Sequence, residues 1–141
     1  MRLLLDTNIL LALTPRRLAT LPARIVEAIQ AGENTCFASA ASIWEIALKT
    51  RLGRLDAGLP LPDLLGFFEA AGMAFLAIDV RHVLADAEPE PQTRDPFDRL
   101  LLGQCRVENL RLVTLDRALA AAGVAMRGAA RTGASHPAAV G

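Results

Sequence analysis

Residues 2–8, Arg2-Leu3-Leu4-Leu5-Asp6-Thr7-Asn8, decide the fold. Three consecutive leucines followed at once by polar residues suit a short strand buried on both faces. Such a strand delivers Asp6 to its carboxyl end, and open α/β sheets bind their ligands at that end. Asp6 alone carries little weight, because Asp is also a favoured helix cap. A single acid after a strand is more often a cap than a catalyst. What matters is whether other acids arrive at the same place.

Outward from this strand, residues 7–13 form a short helix that stops near Pro15. Pro22 opens a second helix at its first position and Gly32 closes it, with Ile25 and Ile29 one turn apart. Residues 35–38 are a strand, 40–51 a helix ended by Gly53, 57–62 a loop, and 63–71 a helix stopped at Gly72. A strand at 74–78 and a helix at 80–87 follow. The segment 88–93, Glu-Pro-Glu-Pro-Gln-Thr, has two prolines and is excluded from regular structure. A long helix spans 96–108, a strand 112–114, a short helix 117–122 and an edge strand 124–126. Strands that alternate with helices predict an α/β fold with a parallel sheet covered on both faces. One domain is expected over 1–126. Residues 127–141, rich in Gly and Ala and without periodicity, are expected to be a disordered and removable tail.

Composition narrows the function classes. Of 141 residues, 52% are hydrophobic and 21% charged, which suits a folded chain with a sizeable core. No apolar run approaches the ~18 residues of a membrane span, and the N-terminus turns acidic too soon for a signal peptide. A cytoplasmic protein with no membrane partner is expected. Cys36 and Cys105 fit no metal spacing and are expected as buried reduced thiols. Fifteen basic residues balance fifteen acids, unlike a general nucleic-acid binder. Lys49 is the only lysine. The arginine excess suits phosphate ligands and equally suits a genome-wide codon bias.

Three further acids stand where a site would need them. Glu45 lies in Ser-Ile-Trp-Glu-Ile-Ala-Leu-Lys, residues 42–49. Ser42 and Glu45 have capping-box spacing, and Glu45 and Lys49 have the order of an exposed ion pair. Asp95 before Pro96 matches an N-cap followed by proline at the first helical position. Asp98 suits the helix dipole, yet Leu101, Leu102 and Cys105 place it on the buried stripe. Asp116 follows the strand at 112–114 and is again a natural cap, while Thr114 lines the same end of the sheet. Four carboxylates gathered together repel unless a cation sits among them. Hard divalent ions such as Mg²⁺ or Mn²⁺ take oxygen ligands. Such an ion activates water for phosphodiester displacement. No Gly-rich phosphate loop is present, and neither His82 nor His136 is placed for such a site.

Taken in order, Leu-Leu-Asp-Thr-Asn at 4–8, residues 42–49, Asp-Pro-Phe-Asp-Arg-Leu-Leu at 95–101 and Val-Thr-Leu-Asp at 113–116 resemble the PIN-domain ribonucleases. The closest likeness is to the VapC-type toxins of type II toxin–antitoxin pairs. The resemblance implies a three-layer α/β/α fold with a central, mostly parallel five-stranded sheet and Mg²⁺- or Mn²⁺-dependent endoribonuclease activity. The family's acidic cluster falls on Asp6, Glu45, Asp98 and Asp116 as catalytic and metal-binding residues. Asp95 matches a subgroup's extra acid, taken as a cap first and a ligand second. Asn8 stands where many relatives carry His. Asn8, Arg99 and Thr114 are the substrate-binding candidates, and Arg51, Arg54, Arg94 and Arg117 are further phosphate contacts, each weighed against ordinary solvated surface. A homodimer, an RNA substrate and a small cognate antitoxin are the expected partners.

Two other classes place Asp after a first strand. A haloacid-dehalogenase-type phosphatase needs a second Asp where this chain has Asn8, and a response-regulator receiver needs a strand-end Lys. The remaining alternative is a non-catalytic PIN-fold module that binds RNA or protein.

Overall fold

The computed structural model describes residues 1–86 and 95–126. The expectations for residues 88–93, for Arg94, His136 and the tail at 127–141 lie outside the described residues. The elements run β1 (Arg2–Leu5), α1 (Thr7–Leu13), α2 (Ala23–Gln30), β2 (Thr35–Ser39), α3 (Ala40–Arg51), α4 (Leu61–Ala70), β3 (Ala74–Leu76), α5 (Val80–Leu84), α6 (Pro96–Glu108), β4 (Arg111–Val113) and α7 (Arg117–Ala120).

β1 is central. The sheet order is β3-β2-β1-β4, and all three pairings are parallel. Leu4 pairs with Phe37 on one side and Leu112 on the other, and Leu5 with Val113. All three leucines are fully buried. Alternation sends them to opposite faces. Leu3 and Leu5 pack with Ile9, Ile25, Ile46 and Phe68, whereas Leu4 packs with Leu101, Leu102, Cys105 and Leu119. Helices therefore cover both faces, as the uninterrupted leucine run requires. Because every strand runs the same way, β1, β2 and β4 all present their carboxyl ends at one edge.

The fifth strand expected at 124–126 shrinks to one parallel bridge, Leu112 with Ala125. Only Leu112 N–H to the Val124 carbonyl and Met126 N–H to the Leu112 carbonyl join it to β4. α4 begins two residues earlier than expected, at Leu61, with Pro62 in its first turn, where a missing N–H leaves nothing unsatisfied. Pro22 is the N-cap of α2, with extended ψ of 151°, and not its first helical residue. The capping box that the Ser42–Glu45 spacing allows does not form. β2 passes directly into α3, so Ser39, three residues earlier, is the N-cap and its Oγ accepts from Ala41 N–H at 2.9 Å. Both cysteines are buried free thiols, and burial pushes the Cys105 thiol up to about 12. No described helix is long and apolar enough to cross a membrane.

α5 lies against α6 at its closest point at Gly103, where a Cβ would stand 2.5 Å from the His82 carbonyl oxygen. Gly103→Ala is expected to cost about 1–3 kcal/mol, because backbone must move to admit the methyl. Gly66, exposed in α4 with nothing within 4 Å of a Cβ, gives the opposite expectation. Gly66→Ala should gain up to about 1 kcal/mol from reduced unfolded-chain freedom. Urea unfolding of both variants measures the pair, and equal effects would contradict this packing.

Candidate metal centre

Asp6 ends β1 and caps α1, and its own N–H donates to the Val113 carbonyl at 2.9 Å. Its carboxylate is only 4% exposed. Oδ1 accepts from Thr7 N–H at 2.8 Å, and Oδ2 accepts from the Thr114 hydroxyl at 2.7 Å. The cap and the site therefore coexist in one residue, one oxygen serving each. Thr114 is fully buried and also accepts from Asp116 N–H at 3.0 Å. Its buried hydroxyl ties the Asp6 carboxylate to the backbone of Asp116.

Asp116 is exposed and caps α7, accepting from Ala118 and Leu119 N–H groups at 2.8 and 3.2 Å. Both bonds engage Oδ1, which leaves Oδ2 for another partner. Asp95 caps α6 through Oδ1, as its place before Pro96 predicts. Asp98 stands half-buried one turn in, where α6 enters the sheet edge. Glu45 sits on α3 and is only 7% exposed. Lys49 Nζ meets its Oε2 at 2.6 Å. The i, i+4 pair read from the sequence exists, but its acid is buried, so it is not the exposed surface pair expected.

α3 and α6 are pinned beside the cleft by rings adjacent to the acids. Trp44, preceding Glu45, meets Phe97, preceding Asp98, edge to face at 5.1 Å. A second set of buried polar bonds locks the frame. Ser39 Oγ donates to Gln104 Oε1, Gln104 Nε2 donates to the Ala77 carbonyl at 3.2 Å, and Thr7 Oγ1 donates to Ser42 Oγ at 2.9 Å. Sequence reasoning missed these residues. The available signal was Gln104 itself, a polar side chain inside the apolar stripe of Leu101, Leu102 and Cys105.

The electrostatics bring the acids together. Burial, then the charges of Asp6, Asp95, Asp116 and Glu45, push the Asp98 carboxyl up to about 7. Burial also raises Asp6, against the lowering effect of the Thr114 and Thr7 hydrogen bonds, with Glu45 and Asp116 adding to the rise. Asp6, Glu45, Asp98 and Asp116 therefore share one field. Hard oxygen donors under mutual repulsion, Asp6 and Glu45 of them buried, fit a divalent cation such as Mg²⁺ or Mn²⁺. Asn8 is exposed in the first turn of α1 and Arg99 partly buried beside Asp98, while Arg51, Arg54 and Arg117 are exposed.

A different trio, Asp79, His82 and Glu108, brings three potential ligand atoms within 4.8 Å of one another. It is a structural clamp. His82 Nδ1 accepts from Asp79 N–H at 3.0 Å, which leaves Nε2 to donate to Glu108 Oε2 at 2.7 Å. Arg81 Nη2 reaches both carboxylates, at 2.9 and 3.3 Å. Both ring nitrogens and the local negative charge are thus already engaged, closing a capping box on α5 and tying α5 to α6. Ten residues of α6 put Glu108 about 15 Å along the axis from Asp98, far from the sheet edge.

Asp98 and Asp6 give the metal-free protein a pH signature. The folded chain keeps protons on these carboxyls that the unfolded chain, titrating near 3.8, has already lost. Stability must therefore fall as pH rises between about 4 and 7, and level off above that. The metal-free Tm is expected to drop from about pH 5 to about pH 8, with much of the drop abolished in Asp98→Asn. A metal-free Tm that climbs across this interval would show that the acids do not share a field.

The family model described as the PIN domain matches residues 3–125, from the first leucine of β1 to the Ala125 bridge. A search of curated proteins finds no match to the chain. PIN domains are generally nucleases that use divalent metals. With a parallel sheet flanked by helices and a family match over most of its length, the chain belongs to the PIN-domain family.

Proposed function

We propose that this protein is a Mg²⁺- or Mn²⁺-dependent endoribonuclease acting as the VapC-type toxin of a toxin–antitoxin pair. The observation that carries the reading is the delivery of Asp6 and Asp116 to one edge of the parallel sheet, tied through the Thr114 hydroxyl, with buried Glu45 and half-buried Asp98 on the helices α3 and α6. Asp6, Glu45, Asp98 and Asp116 would hold the ion, with Asp95 capping α6 and adding to the field. A bound divalent ion supplies an acidified water and charge against the phosphoryl oxygens. The protein's part is placement. Thr114 holds Asp6 against Asp116, the Trp44–Phe97 contact holds Glu45 beside Asp98, and burial keeps Asp6 from bulk water. Asn8 and Arg99 are the proposed RNA contacts, with Arg51, Arg54 and Arg117 as outlying phosphate contacts.

The proposed partners follow from the same surface. An acidic cleft is complementary to a guanidinium group brought by an antitoxin. Trp44 and Leu48 on α3 and Leu52 at its C-cap, all exposed, offer a wrapping antitoxin an apolar seat. A homodimer within the cytoplasm completes the proposed toxin.

A mixed RNA pool tests the activity. Cleavage is expected with Mn²⁺ or Mg²⁺, leaving 3′-hydroxyl ends, and is expected to stop in excess EDTA. Glu45→Gln should fold yet cut at least about 10²-fold more slowly, since a misplaced reacting group costs that much. Undiminished cleavage in EDTA, or near-parental cleavage by Glu45→Gln at limiting Mn²⁺, would overturn the assignment. RNA binding without cleavage would favour a non-catalytic PIN-fold module.

A further inference from the structure

Lys49 differs from an ordinary surface partner of a helical acid. The Glu45 side chain is 10% exposed and the Lys49 side chain 46%, so a buried carboxylate meets a half-exposed ammonium. Their 2.6 Å contact is at the short end for charge-assisted hydrogen bonds. The ammonium also lies in the field of Asp95 and Asp98 on α6, beyond its hydrogen bond to Glu45. Lys49 thus places a cation among acids from two helices, on a flexible four-carbon stem.

We propose that Lys49 is the cleft's resident counter-cation, holding Glu45 in the metal-free protein and released from it when a divalent ion takes that carboxylate. The proposal rests on the metal-dependent reading above. An ammonium brings one charge and three donors, whereas a divalent ion brings two charges and takes oxygen ligands directly. With Nζ 2.6 Å from Glu45 Oε2, a divalent ion on the same carboxylate would face the ammonium at close range, and the repulsion between the two cations favours release of Lys49. Lys49 therefore steadies the empty cleft and sets a threshold that the metal must overcome. It is a positioning residue acting through Glu45.

Mn²⁺ titrations of the full chain, followed by thermal melting and by the spectrum of free Mn²⁺, test this. Metal-free Lys49→Gln should melt below the parent, and the gap should close in saturating Mn²⁺. Its affinity for Mn²⁺ should rise about three- to tenfold, the size of a modest ion pair expressed as binding. Lys49→Arg, which can fork the carboxylate, should bind Mn²⁺ more weakly than the parent. Arg24→Gln removes the same charge from α2 and should leave Mn²⁺ affinity near parental. A role confined to helix stability would lower melting equally with and without Mn²⁺. Equal or weaker Mn²⁺ affinity in Lys49→Gln, with the parent binding normally, overturns the exchange and leaves the metal centre standing. A parent that binds no Mn²⁺ overturns both.

Discussion

Repulsion among carboxylates is the constraint that the rest of this structure answers. A parallel sheet with β1 at its centre brings Asp6, Asp116 and the start of α3 to one edge, and α6 adds Asp98 there. Charges so placed favour protons or cations over water. The surrounding bonds oppose their separation. The Thr114 hydroxyl ties Asp6 to the backbone of Asp116, across 108 residues of chain between donor and acceptor side chains. Lys49 neutralises Glu45, and backbone N–H groups at three helix starts accept part of the charge on Asp6, Asp95 and Asp116. What ordinary helix capping stabilises locally, the sheet topology gathers into one cleft.

Local signals in the sequence were read well where local physics decides. α6 has the expected bounds because Asp95 and Pro96 mark its start, and Asn109, in the left-handed region at φ 56°, ends it. The leucines of β1 foretold a strand buried on both faces because nothing polar interrupts them. Glu45 shows where spacing misleads. Ser42 stands three residues before it, as in a capping box, but β2 runs into α3 without a loop and Ser39 takes the cap. Ser42 is left free to bond Thr7 on α1, a contact that no local pattern encodes. The Thr114 bond to Asp6, the Gln104 contacts and the burial of Glu45 were hidden for the same reason. Each depends on which elements become neighbours, and sequence distance conceals that. The edge strand failed differently, since Ala125 alone reaches Leu112 in register.

Two groups of acids with opposite fates sit near the two ends of α6. Around Glu108, Arg81 and the His82 Nε2 proton already meet the negative charge, so the group joins α5 to α6. Around Asp98, burial and four neighbouring carboxylates raise the proton affinity, with Lys49 the nearby cation whose interaction with the group is resolved. The ligand atoms of the first group lie closer together, whereas burial and mutual repulsion mark the second. The proposed metal centre follows the second, because a cation there would relieve repulsion that the first group does not have.

The most direct measurement is Mn²⁺ binding by titration calorimetry near pH 6.5 in two buffers of different ionisation enthalpy. A cleft whose Asp98 must give up its proton predicts release of up to about one proton per ion bound. That release should vanish in Asp98→Asn. Binding without proton release, or binding kept in Asp98→Asn and lost in Glu108→Gln, would place the metal at the other end of α6 and contradict the account.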